Sequence, residues 1–372
     1  MKIIRDAIHD NIELNSGEIA VIDTPEMQRL RFVRQLSLAY LVYPSAHHTR
    51  FEHSLGTFHL TKVLSGRLFP EDKGLQQLLR LSALLHDVGH SAFSHLPEGI
   101  VYEHLRKRHE DIGEDRIKSG NIARALEKSG ISPKELLKIH RSPKVKLISS
   151  ELGTDRMDYL LRDAYFTGVG YSLVDAQRLL FSLSYEGGNL LLMEKGLLAA
   201  ESLLVSRYLM FNAVYNHHAV RIAGAMLEKA LRIALSKKSI GIADITEGTD
   251  EVTLYKLRRE PLIARILGRN LYKAAFEAPR FFYKGNEESE RKKIEVELSR
   301  ELGDADFVVS LPKQTMGAID MEVAREDGKT YPLASDSPIL EAVSKERKAS
   351  GLIVATDMRD MEKAAKICRK IF

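Results

Sequence analysis

LQQLLRLSALLHDVGHSAFSH, residues 75 to 95, decides how the rest of the chain is read. Leu75, Leu78, Leu79, Ala83 and Leu84 recur at the three- and four-residue steps of a largely buried helix, and Gly89 offers it a left-handed stop. At that end stand His86 and Asp87. A carboxylate beside so apolar a helix is costly to bury unless a cation sits against it. Adjacent residues lie about 100° apart on a helix, so a long imidazole and a short carboxylate can still converge on one ion. Further ligands must come from elsewhere. His53 lies 33 residues earlier in RFEHSLG (50 to 56), and Asp155 lies 68 later in TDRMDYLLRD (154 to 163), each on a predicted helix. Only a folded helical bundle brings such distant positions together.

Working outward, nine of the 13 histidines (47, 48, 53, 59, 86, 90, 95, 104 and 109) crowd into residues 47 to 109. Such crowding points to chemistry. Residues 1 to 20 alternate loosely around Asn15-Ser16-Gly17, which predicts a short hairpin or extended arm. Asp23-Thr24-Pro25 predicts a helix start ahead of Met27, Leu30, Phe32, Val33 and Leu36. From there to about residue 236 the pattern is helical. Ala199 to Leu235 reads as one long helix or two, and Ser184 to Met193 as a small hairpin turning at Gly-Gly-Asn. Beyond about residue 285 strands and helices alternate: a charged helix 287 to 302, then Phe307-Val-Val-Ser-Leu, Ile319-Asp-Met-Glu-Val, a helix from Ser337, Leu352-Ile-Val-Ala and a final helix. The expected architecture is mainly α: a helical bundle over 1–284 with a short N-terminal hairpin, followed by a small C-terminal α+β lobe over 285–372.

Composition narrows the function. Over 372 residues, 55 Lys+Arg against 51 Asp+Glu leave a net charge of +4, too little for the footprint of a dedicated nucleic-acid binder. Any basic site must be local. The apolar runs are broken by Arg, Gln, Asn or His before the ~18 clean residues of a membrane helix, so no membrane span is expected. The start lacks a signal-peptide pattern, and a single cysteine, Cys368, fits a reducing cytoplasm.

The segments DTPEMQRLRFVRQLS (23 to 37), VYPSAHHTRFEHSLG (42 to 56), LLHDVGHSAFSH (84 to 95), HE (109 to 110) and DRMDYLLRD (155 to 163) together resemble the HD-superfamily phosphohydrolases. Within that superfamily they are most similar to the deoxynucleoside triphosphate triphosphohydrolases, the group of the mammalian SAM-and-HD-domain enzyme and, more distantly, bacterial dGTPase. The resemblance runs from the start to about residue 220. It implies an HD-domain bundle with His53, His86, Asp87 and Asp155 as metal ligands. Two imidazoles and two carboxylates suit a divalent ion (Mn, Mg, Fe, Co, Ni or Zn). Such an ion neutralises phosphate charge and lowers the pKa of water. The implied reaction is attack of metal-activated water at the α-phosphorus, releasing deoxynucleoside and triphosphate, and the departing 5′ oxygen needs a proton. His95 matches the family's acid. His109 and Glu98 match the supporting acid-base positions, with Glu98 replacing an aspartate.

The resemblance also implies a substrate pocket. Arg50, Arg156, Tyr159 and Arg207 match phosphate contacts, and His90 falls among the substrate-binding positions. Gln35 and Asp163 match the groups holding the 3′-hydroxyl, Leu36 a residue under the sugar and base, and Tyr215 a tyrosine that disfavours a 2′-hydroxyl. Residues 207, 211, 215 and 218 are spaced 4, 4 and 3, one helix face. Phe211 departs from the pattern, replacing a histidine near the phosphates. Lys2, Asp23, Gln28 and Arg31 match a regulatory guanine-nucleotide site at a subunit interface, although Arg5 replaces an asparagine there; a plain arm and helix cap is the alternative. The partners implied are a nucleotide substrate, a guanine-nucleotide activator and other copies of the chain in a dimer or tetramer. For His90, His95 and His109 the plain alternative is solvated loop histidines. Two other functions compete: another HD nucleotide phosphohydrolase (monophosphatase or phosphodiesterase), and a catalytically silent nucleotide- or nucleic-acid-binding protein.

Overall fold

The computed structural model describes residues 1–171, 174–278, 281, 287–311, 319–345 and 351–372. The expected 284/285 boundary lies outside the described residues.

The chain opens with a hairpin, β1 (Lys2–Asp6) against β2 (Asp10–Leu14). Its turn is not at Asn15. Asp6 makes it, accepting the backbone N–H groups of Ile8 and His9 at 2.9 Å each. Asn15 instead caps the helix Ser16–Ile22 in a reciprocal box with Glu18 (2.8 and 2.9 Å), an Asn-x-x-Glu signature already legible in the sequence. Asp23 closes that helix rather than opening the next, and Thr24 is the N-cap of the short helix Pro25–Arg29. The helix expected to reach Leu36 stops early, because a 3-10 turn at Leu30–Phe32 leads into extended backbone at Val33. Gln35 N–H then bonds the His48 carbonyl at 3.0 Å, setting Gln35 and Leu36 opposite the helix that follows.

That helix, Arg50–Leu68, is the axis of the bundle, begun by a Thr49–Glu52 capping box. Its Phe51, Leu55 and Phe58 pack into one core with Ile12, Leu14, Leu81, Leu84 and Leu85. Leu60 and Leu64 join a second core with Leu160 and Leu203. Fully burying such a side chain is worth about 1.5–3 kcal/mol. Lys73–Leu85 and Thr154–Thr167 flank this axis. Gly89 does not take the left-handed conformation. Its lack of a side chain serves close approach: a Cβ there would lie 1.9 Å from the His109 carbonyl oxygen. This contact seats the helix His109–Lys118 against the end of the HD segment.

The long apolar stretch after Gly196 forms two helices, Leu197–Met210 and His218–Ser236, joined by a π-helical turn, Phe211–Tyr215. The run Glu194–Tyr215 is long and apolar enough to cross a membrane by length and composition alone. Ala200, Leu203, Leu204 and Met210 are buried in the second core.

Strand pairing links the bundle to the C-terminal lobe. β3 (Leu183–Glu186) and β4 (Asn189–Met193) form the expected hairpin, its Gly187 and Gly188 both at positive φ, the backbone a two-residue type I′ turn requires. After β5 (Lys273–Ala278) and the helix Glu287–Leu302 come β6 (Phe307–Ser310), β7 (Glu322–Ala324), β8 (Thr330–Pro332) and β9 (Leu352–Thr356). The two larger sheets run in the orders β3-β4-β7-β8 and β5-β9-β6. Strands from either side of residue 285 therefore share both sheets. A third core runs from Met226, Leu227 and Ile263 to Val308 and Ala355, welding the His218–Ser236 helix to this lobe.

Candidate metal centre and cavity

His53, one turn into its helix, and Asp155, in the first turn of Thr154–Thr167, meet at 3.0 Å (Nε2 to Oδ1). His86 Nε2 stands 3.7 Å from the same oxygen and 3.4 Å from Asp87 Oδ1, and Asp87 Oδ2 is 3.7 Å from His53 Nε2. His53, His86 and Asp155 thus come close enough to share one ion, and Asp87 borders the two histidines. His86 Nδ1–H donates to the Ala83 carbonyl (2.7 Å), which fixes the tautomer, and its Nε2 is buried with no hydrogen-bond partner. A buried Nε2 facing two carboxylates is a donor set that suits a divalent cation, or a proton in its place.

Electrostatics agree. Burial opposes the charge on His53, yet hydrogen bonds to Asp155 and Asp158 and the nearby Asp87 push its pKa up to about 10. His86 is raised against its own burial by Asp87 and Asp155. Burial also opposes ionisation of Asp155, but the two histidines hold it well below the usual carboxylate range. Without a cation the cluster keeps protons that a metal displaces.

Behind the ligands lies a layer that sequence reasoning did not single out. His53 Nδ1–H donates to Asp158 (2.7 Å), which Arg162 contacts at 2.9 and 3.0 Å; Arg162 also reaches Asp6 at 2.9 Å. His9, from the turn of the N-terminal hairpin, bonds Asp158 at 2.7 Å. All this is buried. Gly56 makes it fit, since a Cβ there would fall 1.8 Å from Asp158 Oδ1. The spacing 155, 158, 162 carries the signal, for steps of three and four put these side chains on one side of a helix.

The centre opens on a cavity of about 690 Å³. Asp155, Tyr159 and Asp163, at steps of four, line it, with Gln35, Leu36, Arg50, His90, His95, His109 and Tyr215. Asp163 receives hydrogen bonds from Tyr215 O–H (2.6 Å) and His48 (2.7 Å), while Gln35 Oε1 is buried without a partner. Arg50 is buried, donating to Asp87 (2.6 Å) and Ser94 (2.9 Å). Phe211 is on the cavity wall. The face predicted from 207, 211, 215 and 218 is broken by the π turn, and neither Arg207 nor His218 is on that wall. Nor is Arg156. Both arginines are clamped on Glu151, Arg207 at 2.5 Å.

His90 is not a solvated loop histidine. It is 1% exposed, stacks on His109 with ring centroids 4.0 Å apart, and meets His95 edge-on at 4.7 Å. His109 and His95 both turn Nδ1 to Glu98, at 2.5 and 3.4 Å. Phe93 and Ser94, just before His95, sit at positive φ. Asp250 steadies them by accepting the Phe93 N–H at 2.6 Å, and burial lifts its pKa to about 6 despite the backbone N–H groups of Phe93 and Arg34. Of the regulatory positions, Gln28 and Arg31 are bonded to each other (2.8 Å), Lys2 heads β1, and Asp23 is a helix C-cap.

Comparison with known proteins follows the same lines. Residues 50–163 match the HD domain and residues 174–372 the HD associated region. An uncharacterized protein of Methanocaldococcus jannaschii is 41% identical over 73% of this chain and 59% of its own length. A Dictyostelium discoideum protein named as a deoxynucleoside triphosphate triphosphohydrolase SAMHD1 homolog is 30% identical, again over 73% of this chain and 59% of its own. A crystal structure of a hypothetical protein from Aquifex aeolicus superposes with a TM-score of 0.80 at 30% identity, covering 98% of this chain and 99% of that one. The chain spans 51 to 59% of the length of the first curated relatives it matches.

Proposed function

The chain belongs to the HD-domain family, and from that premise we propose that it is a metal-dependent phosphohydrolase that cleaves deoxynucleoside triphosphates to deoxynucleoside and triphosphate. The observation that carries this is the convergence of His53, His86, Asp87 and Asp155 at a cavity whose wall also holds the bonded pair Asp163 and Tyr215. A divalent cation held by those four residues supplies charge neutralisation for the phosphates and lowers the pKa of water.

The protein's own groups do the rest. Water adds to the α-phosphorus, the bond from phosphorus to the 5′ oxygen breaks, and His95 delivers the proton that oxygen needs. Glu98 holds His95 and His109 in place; burial opposes its ionisation, but the two imidazoles keep it well below the usual carboxylate range. Tyr215 stays protonated, its phenol raised by burial and by Asp163; its O–H stays bonded to Asp163 while its bulky ring stands against the sugar. A site built to hydrogen-bond a hydroxyl rejects a substrate lacking it far better than an apolar wall rejects an added one. Gln35, with its unpartnered oxygen, is the acceptor we assign to the 3′-hydroxyl beside Asp163.

A second reading, an HD hydrolase of nucleotides with fewer phosphates, is favoured by one observation: Arg156 and Arg207 lie off the cavity wall and are both held by Glu151, while Phe211 presents an apolar face. Incubation with each dNTP, NTP and dNMP in Mn or Mg, with products separated by ion exchange, decides. Triphosphate with deoxynucleoside supports the first reading; orthophosphate or pyrophosphate overturns it in favour of the second.

A further inference from the structure

Three imidazoles stand beside the four-residue centre and are joined to it through Asp87, whose Oδ1 faces both His86 and His90. The sequence brings them there by a route of its own: the bare Gly89 lets the backbone of His109 approach, and the paired left-handed residues Phe93 and Ser94 turn the chain so that His95 faces back. His90, His95 and His109 each offer a ring nitrogen, and the three nitrogens lie within 4.8 Å of one another. Every ring has a carboxylate behind it. His90 Nδ1 is 3.1 Å from Asp87 Oδ1 and 3.2 Å from the Asp87 carbonyl, so it carries the proton, while His109 and His95 turn Nδ1 to Glu98. Proteins use this arrangement to fix the tautomer of a metal-binding histidine and direct its other nitrogen at the ion. For His90 the consequence is visible: Nε2 is buried without a hydrogen-bond partner, a costly state for a buried acceptor. Glu110 Oε1, 3.4 Å from His109 Nε2, is at hand as a further oxygen ligand.

We propose that His90, His95 and His109 form a second cation site, distinct from the four-ligand centre and selective for zinc-class ions that prefer imidazole. A set of three histidines with carboxylates behind them leaves a fourth position open toward the cavity, where water or a phosphate oxygen can bind. The site goes beyond the assigned reaction. One consequence rests on that assignment: His95 cannot hold a cation and deliver a proton in the same molecule, so excess zinc slows turnover.

The test is to titrate metal-free protein with zinc against a chromophoric chelator. Wild type takes up two equivalents per chain, Asp155→Ala one, His95→Gln/His109→Gln one, and the combination of all three substitutions none. Glu98→Gln weakens the second equivalent about 10- to 100-fold, and cobalt in the Asp155→Ala protein gives the visible absorption of a four-coordinate ion. Wild type saturating at one equivalent, or a second equivalent that survives in His95→Gln/His109→Gln, overturns the site. A second equivalent that binds without slowing turnover upholds the site and refutes His95 as the acid.

Discussion

The resemblance assigns Asp155 and Arg207 to the same phosphate-binding end of the site, yet the fold treats them in opposite ways. Around Asp155 the charges are paired among themselves and layered: His53 rests on Asp158, Asp158 on Arg162 and His9, and Arg162 on Asp6. Around Arg207 a single glutamate, Glu151, engages both guanidinium groups, the part a phosphate would play. Buried, multiply bonded groups are costly to disturb, whereas a lone carboxylate between two arginines is exchangeable. On the proposed function, the metal end is therefore set before substrate arrives, and the arginine end has to change partners.

Four experiments probe that contrast. The largest effect is expected from Asp155→Ala, which loses turnover and first-site metal together; metal analysis alongside an activity assay checks it, and retained turnover would contradict the assigned centre. Next comes Asp158→Asn, one layer back, with a loss of about 10- to 100-fold in metal affinity or activity; an unchanged affinity would mean the layering is ornamental. The third is a pH effect. His53 binds its proton more tightly folded, with a pKa of about 10 against an ordinary 6.5, so the stability it contributes is complete below pH 6.5 and is lost as pH rises toward 10. Melting temperature of the metal-free protein should fall across that window, while metal affinity rises because the competing proton is leaving. The smallest effect belongs to Glu151→Gln. Freeing two arginines should lower KM for a triphosphate by a few-fold with little change in kcat, the modest size expected for a partly exposed ion pair. A KM that stays put would assign Glu151 a purely structural place.

Much of the metal end was legible in the sequence because an apolar helix ending in His-Asp poses a chemical question that only other polar side chains can answer. His53 and Asp155 answered it through resemblance, since nothing local ties residue 53 to residue 155. Asp158 and Arg162 were legible in principle from their steps along one helix. His9, Asp6 and Glu151 were not, for their partners are set by tertiary packing across up to 156 residues. Gly89 shows a subtler limit: a glycine after a helix suggests a left-handed stop, and the alternative, close approach of a neighbouring backbone, leaves no mark in the local sequence. The early end of the helix after Pro25 was missed for a related reason, because periodic apolar residues continue through an extended segment that packs just as well.

The π turn at Phe211–Tyr215 has a consequence for how this wall could vary. A π turn amounts to one extra residue accommodated within a helix, and a residue advances a helix by about 100°. Deleting a single position there would restore regular winding only by rotating Tyr215 away from Asp163, or by twisting Met226 and Leu227 out of the third core. Length in this stretch is thereby pinned from both ends, so the cavity can be reshaped here by swapping side chains rather than by insertion or loss.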